Sequence, residues 1–184
     1  MAIEIEKKYR LSGEQRDKVL EELREFGAEY KGEDFEENTI YRGGVLGEKH
    51  AVLRVRKTQA GTILTYKERI PSPAGIKHQI EHETGIENTE ALEEIIESLG
   101  FQKDLVYEKR RKIWHFRDVE IVLDELPFGS FMEIEGSITA IKEAEMLLDI
   151  EDFPVEHETY PHLTRKFGKR NGDLIEARFS ENFL

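Results

Sequence analysis

Apolar and charged side chains alternate through much of this chain at the two-residue period of a β-strand. Over residues 3–11, Ile3, Ile5, Tyr9 and Leu11 share one parity, while Glu4, Glu6, Lys8 and Arg10 share the other. A strand there carries an apolar face and an almost wholly charged one. The pattern returns with Leu53 and Val55 against Arg54 and Arg56, with Ile121 and Leu123 against Asp124, and with Met132 and Ile134 against Glu133 and Glu135. Alternation of this kind predicts strands at 2–11, 34–41, 50–58, 62–70, 76–84, 105–115, 118–125 and 130–137. Helical spacing occupies 13–27, 88–99 and 139–149. In the second of these, Asn88 caps, Leu92, Ile95, Ile96 and Leu99 form the apolar stripe, and Gly100 ends the helix.

For any one strand, a charged face is simply a solvated face. Recurrence over several strands, with helical stripes available to cover the apolar side, predicts something more specific. The expected fold is α+β: a closed, antiparallel, eight-stranded β-barrel with flanking helices and a polar interior. About eight strands leave a lumen wide enough for side chains or one small ligand.

With 184 residues and neither a repeat nor a linker, the chain reads as a single domain over 1–184. The turn-rich Pro71-Ser72-Pro73-Ala74-Gly75 is short enough to be a loop. The absence of cysteine excludes disulfides, thiolate ligands and a cysteine nucleophile, so any metal sits on carboxylates or histidines. No run reaches the ~20 apolar residues of a membrane span, and MAIEIEKKYR lacks a signal-peptide core. A cytoplasmic protein without membrane partners is expected, either monomer or homodimer. A formal net charge of −12 argues against non-specific nucleic-acid binding, so a polyanionic ligand requires a concentrated basic pocket.

Glu4-Ile5-Glu6-Lys7-Lys8 fits an E-x-E-x-K signature. It is followed in order by Asn38-Thr39-Ile40-Tyr41, Leu53-Arg54-Val55-Arg56, Leu64-Thr65-Tyr66-Lys67, Glu81-x-Glu83, Lys109-x-Arg111, Leu123-Asp124-Glu125 and Phe131-Met132-Glu133-Ile134-Glu135-Gly136. This ordered set resembles the CYTH, or triphosphate tunnel, family, named for a bacterial adenylate cyclase and thiamine triphosphatase. Thr159-Tyr160-Pro161-His162-Leu163 is similar to that family's tail. The resemblance implies a charged β-tunnel in which Lys8, Arg54, Arg56, Lys67, Lys109 and Arg111 hold a phosphate chain. Paired guanidinium donors and compact ammonium charges suit phosphate oxygens. It further implies that Glu4, Glu6, Asp124, Glu133 and Glu135 carry Mg²⁺ or Mn²⁺, for which hard oxygen donors are appropriate. Lys8, Glu81 and Glu83 take catalytic roles in this assignment, the two glutamates by positioning metal or orienting basic groups. Two positions depart from the pattern: Gln79 stands where arginine is usual, and Arg42 where aspartate often follows the tyrosine.

Other motifs compete less well. His78-Gln79-Ile80-Glu81-His82 matches H-x-x-E-H. The alternation around it predicts a strand, on which the two histidines lie ~13 Å apart, too far to share a zinc ion. Gly43-Gly44-Val45-Leu46-Gly47 lacks the Gly-Lys-Ser/Thr of a P-loop. The expected function is therefore metal-dependent hydrolysis of inorganic triphosphate or of an organic triphosphate such as thiamine triphosphate or a nucleotide. The alternatives are an adenylate cyclase forming cyclic AMP and pyrophosphate, and a non-catalytic polyphosphate or nucleotide binder. The best-known cyclase branch of the family enters its first strand through a histidine-phenylalanine segment, which does not precede Glu4 here; this tilts the expectation to hydrolysis.

Overall fold

The computed structural model describes residues 5–70 and 78–180. Glu4 and the Pro71–Gly75 turn lie outside the described residues. In chain order the elements are β1 (Glu6–Leu11), α1 (Gly13–Glu25), β2 (Glu29–Arg42), β3 (Ala51–Lys57), β4 (Thr62–Ile70), β5 (His78–Ile86) and α2 (Thr89–Ser98). They continue with β6 (Gln102–Phe116), β7 (Val119–Leu126), β8 (Gly129–Glu135), α3 (Ile138–Leu147), α4 (Tyr160–Phe167), β9 (Lys169–Asn171) and β10 (Leu174–Ala177). The fold is α+β, with one large sheet whose strands follow the path β1-β8-β7-β6-β2-β3-β4-β5. Antiparallel ladders join β1 to β8, β8 to β7, β7 to β6, β2 to β3, β3 to β4 and β4 to β5, whereas β10 lies parallel to β6.

Among the described residues the expected closure of the barrel is not found in the hydrogen bonds: the path has two ends, β1 and β5. At the β1 end the reason is local. Its outer edge is occupied by the segment after α3, with Arg10 N donating to Pro154 O at 3.1 Å and Glu156 N donating to Lys8 O at 2.8 Å. Strand β2 also starts earlier than its alternation predicts, because Tyr30 is the one apolar side chain of 29–34 and Gly32 and Asp34 follow on its face, too little contrast to display the period.

The chain forms two compact units, one from Met1–Phe35 with Lys109–Thr159 and one from Glu36–Glu108 with Tyr160–Leu184; β2 and β6 contribute to both. In the first unit, Tyr9, Leu11, Trp114, Phe116, Ile121, Leu123, Met132 and Ile134 supply the apolar strand face. Val19 and Leu23 of α1, Ile141 and Ala144 of α3 and Leu148 at its C-terminal cap cover it. Helix α1 starts in a capping box: Ser12 Oγ accepts from Gln15 N at 3.2 Å, and Gln15 Oε1 accepts from Ser12 N at 2.9 Å. In the second unit, Tyr41, Val55 and Ile96 pack with Leu53, Leu64, Leu92 and Phe101. Helix α2 is capped by Asn88, as predicted, and gives way to Gly100 at φ 87°, a conformation that glycine adopts without strain. Arg178, just beyond β10, bonds to Glu37 and Glu108 at 2.5 and 3.0 Å and so ties the end of the second unit to β2 and β6. Among the described residues no helix is long and apolar enough to cross a membrane.

On the covered face of the first unit, Lys7 and the Tyr9 hydroxyl both donate to Glu145 of α3. Burial pushes the Glu145 carboxyl up, but these two hydrogen bonds outweigh it and hold the group below the ordinary value of 4.5. A depressed carboxylate contributes stability above its unfolded pKa and loses it as pH falls through the folded one. Urea titrations of wild type should therefore show stability declining as the solution is acidified below about pH 4.5, and Glu145→Gln should show a shallower decline there. Parallel acid profiles for the two proteins would count against this role for Glu145.

Candidate active site

In the first unit, register turns the sequence parity into one charged face. Lys8 lies opposite Glu133 and Glu6 opposite Glu135, while Glu120 also neighbours Glu135, and Arg111 lies opposite Asp124. Asp124 is the anchor, at 1% exposure. Arg111 grips it with both prongs of its guanidinium, Nε to Oδ1 at 2.8 Å and a terminal nitrogen to Oδ2 at 2.6 Å, and reaches Glu133 at 2.8 Å. Lys8 meets the other oxygen of Glu133 at 3.2 Å and donates to the Glu158 carbonyl at 3.4 Å, and Lys109 lies 3.5 Å from Asp124. Among the described residues Lys8, Lys109 and Arg111 thus converge on Asp124 and Glu133 in a poorly solvated place, and cations gathered so closely suit an anionic ligand.

The second unit carries the other expected phosphate-binding residues. Asn38 lies opposite Arg56, Arg54 opposite Thr65, Thr65 opposite Glu83, and Lys67 opposite Glu81. Thr65 donates to Glu83 at 2.7 Å, and Arg54 donates to Thr65 at 3.3 Å and to Glu83 at 3.4 Å. Burial pushes the Glu83 carboxyl up, but the Thr65 hydroxyl and the charges of Arg56, Arg54 and Lys67 prevail and hold it below the usual carboxylate range. Lys67 pairs with Glu81 at 2.8 Å, and Arg56 Nε stands 3.9 Å from Glu36. The Nε groups of Arg54 and Arg56 are buried and make no hydrogen bond among the described residues. Buried donors of this kind ask for an acceptor-rich ligand.

Four residues of this unit escaped the sequence reading of the site: Glu36, Thr65, Tyr107 and, in any functional role, Asn38. Strand parity held the signal, since Glu36 is in phase with Asn38, and Tyr107 with Lys109 and Arg111. Tyr107 is 3% exposed. Burial pushes its phenol up to about 12, with the Arg54 charge working against the rise, so it stays protonated at neutral pH.

Among the described residues no three histidines, aspartates or glutamates converge as a metal-holding group. Asp124 and Glu133 already bond Arg111. Glu6 and Glu135 face one another directly across β1 and β8. Like charges so placed repel, and their hard oxygens fit a Mg²⁺ or Mn²⁺ ion. His78 and His82 lie on a strand, as the alternation predicted, and His82 stacks on Tyr66 with ring centres 6.4 Å apart.

The family profile of the CYTH domain matches residues 2–159. The chain belongs to the CYTH family. A Methanocaldococcus jannaschii relative provisionally named as an adenylate cyclase is 30% identical over 152 residues, 80% of this chain and 84% of that protein. Among solved structures, the PH1012 protein of Pyrococcus horikoshii is 25% identical, with a TM-score of 0.70 over 85% of this chain and 96% of that one. A provisionally named adenylyl cyclase from Hippeastrum, described as having a dominant triphosphatase activity, has the same fold at 18% identity, with a TM-score of 0.63 over 90% of this chain and 96% of its own.

Because Asp124 is enclosed and its charge rests mainly on Arg111, Arg111→Ala should destabilise this CYTH protein by about 3 kcal/mol, Lys109 compensating only in part. Arg111→Ala together with Asp124→Asn should recover much of that loss in a denaturant titration. Equal stability of wild type and the single variant would show that the pair is not holding the sheet.

Proposed function

We propose that this chain is a Mg²⁺- or Mn²⁺-dependent phosphohydrolase acting on inorganic triphosphate or an organic triphosphate. The observation that carries this reading is the gathering of Lys8, Lys109 and Arg111 around Asp124 and Glu133 in a poorly solvated place. In this reading Lys8, Lys109 and Arg111 bind phosphate oxygens, as do Arg54, Arg56 and Lys67. Binding costs little reorganisation because Glu133, Asp124, Glu83 and Glu81 already hold these cations in place. Glu81 and Glu83 act by orienting Lys67 and Arg54. Glu6 and Glu135, with Glu4, are the carboxylates assigned to the metal, and Asp124 and Glu133 support them through the basic groups they fix. The ion, when bound, supplies charge neutralisation at the phosphate oxygens and orientation for in-line displacement by water.

The provisional name of the M. jannaschii relative favours a second reading, in which a ribose hydroxyl replaces water and ATP yields cyclic AMP and pyrophosphate. A panel of tripolyphosphate, thiamine triphosphate and ATP with each metal separates the two. Orthophosphate release from tripolyphosphate or from an organic triphosphate supports the hydrolase, dominant cyclic AMP the cyclase, and tight binding without turnover a non-catalytic module. Within that panel Arg54→Ala and Arg56→Ala should each weaken binding or turnover by about 1.5–3 kcal/mol for each charged hydrogen bond lost. Lys57→Ala serves as the control, since Lys57 has the opposite parity and pairs with Glu93 of α2 at 2.7 Å.

The metal assignment has its own test. Glu135→Gln keeps the shape of the side chain but removes its charge, so metal-stimulated turnover should be lost while the thermal melt stays within a few degrees of wild type. Full metal-stimulated activity in this variant would move the metal elsewhere.

A further inference from the structure

The ladder between β2 and β3 makes Asn38 and Arg56 direct neighbours, on the face that also carries Arg54 and Thr65. Asn38 is fully buried, and its Nδ2 donates to Glu36, itself 4% exposed, at 3.1 Å. This bond determines how the amide is turned. A carboxylate paired with a guanidinium accepts hydrogen bonds and donates none, so the reversed amide would set oxygen against oxygen. Asn38 Oδ1 is therefore left to the cluster, and it accepts no hydrogen bond from the described residues.

The unmet groups in this cluster are of two chemical kinds. The buried Nε–H groups of Arg54 and Arg56 are donors and match ionised phosphate oxygens. Asn38 Oδ1 is an acceptor, and a fully ionised phosphate chain beside it offers only further acceptors, which it repels. An enclosed carbonyl among arginines suits an O–H donor that sits with the phosphates.

We propose that Asn38 is a specificity residue of the phosphate site, its carbonyl oxygen accepting a hydrogen bond from a hydroxyl bound with the phosphate chain. Two sources supply that chemistry: a water molecule held against the phosphates, or a hydroxyl of an organic triphosphate. The assignment rests on the triphosphate reading given above and adds to it the one contact that separates ligands by what they donate. It differs from a purely structural role, in which Asn38 serves only to hold Glu36 near Arg56.

A double-mutant cycle on the whole chain decides between them. Wild type, Asn38→Ala, Glu36→Ala and the double variant are titrated calorimetrically with tripolyphosphate and with ATP, without added metal so that turnover does not interfere. The expected result is about tenfold weaker binding for Asn38→Ala, the size of one lost neutral hydrogen bond, with the same loss repeated in the Glu36→Ala background. Equal loss for both ligands identifies the donor as water, and loss confined to ATP identifies a hydroxyl of the organic part. Should Asn38→Ala not fold, Asn38→Ser, whose shorter side chain offers Glu36 an O–H donor while leaving the place of Oδ1 empty, takes its place with the same expectation. Binding within twofold of wild type, or a loss that vanishes when Glu36 is absent, overturns the proposal while leaving the triphosphate reading intact. Failure of wild type to bind either ligand, both in this titration and with Mg²⁺ or Mn²⁺ added, removes that reading, and the proposal with it.

Discussion

A carboxylate withdrawn from water costs several kcal/mol unless cations and donors replace its hydration, and much of the first unit follows from meeting that demand at Asp124. Arg111 meets it with a two-pronged grip and carries the connection on to Glu133, which in turn holds Lys8. Four strands, β6, β7, β8 and β1, are thereby linked through side chains as well as through backbone ladders. A slip of one residue between β6 and β7 would set Arg111 and Asp124 on opposite faces, and one between β1 and β8 would part Lys8 from Glu133. The charged cluster and the strand register thus specify one another. A site built this way cannot be loosened without loosening the sheet.

The two units handle charge differently. Around Asp124 the cations share their carboxylates, Arg111 bridging Asp124 and Glu133 while Lys109 and Lys8 each approach one of the two. In the second unit Arg54 leans on Glu83 and Thr65, Lys67 on Glu81, and Arg56 on Glu36, so charge is nearly balanced and the carboxylates act as supports. Such supports reduce what a ligand must spend on ordering long side chains, since an arginine already held by one edge loses less freedom when its other edge is engaged. Tyr107, protonated and buried beside Arg54, adds a neutral group to the same surroundings.

Alternation of side chains makes the charged face legible in the sequence alone. The even residues of β1 and β7 and the odd residues of β6 and β8 fall where their parity puts them, and the helices 13–27, 88–99 and 139–149 appear within a few residues of their predicted bounds as α1, α2 and α3. Parity says which residues share a face but not which strand lies beside which, so the facing of Glu6 with Glu135 and of Asn38 with Arg56 cannot be read from it. Glu36 is hidden because Glu37 beside it is equally acidic, and alternation needs contrast between neighbours. The open strand path is hidden too, since occupation of the β1 edge depends on backbone groups at Pro154 and Glu156 that carry no side-chain signature. Helix α4, whose second residue is Pro161, is too short for its period to stand out from a single turn.

Strand β1 finds its ladder partner in β8, more than a hundred residues later in the chain. During synthesis from the N-terminus, β1 therefore emerges long before Gly129–Glu135 exists to pair with it. An unpaired strand is open to other chains, most of all when it is apolar on both faces. Glu6 and Lys8, read above as part of a ligand site, and Arg10 also lie at every second position of this waiting edge. They interrupt the uncharged, uniformly apolar run that cross-chain pairing prefers. The chemistry that suits the finished face for a polyanion also keeps its earliest strand solvated until its partner has been made.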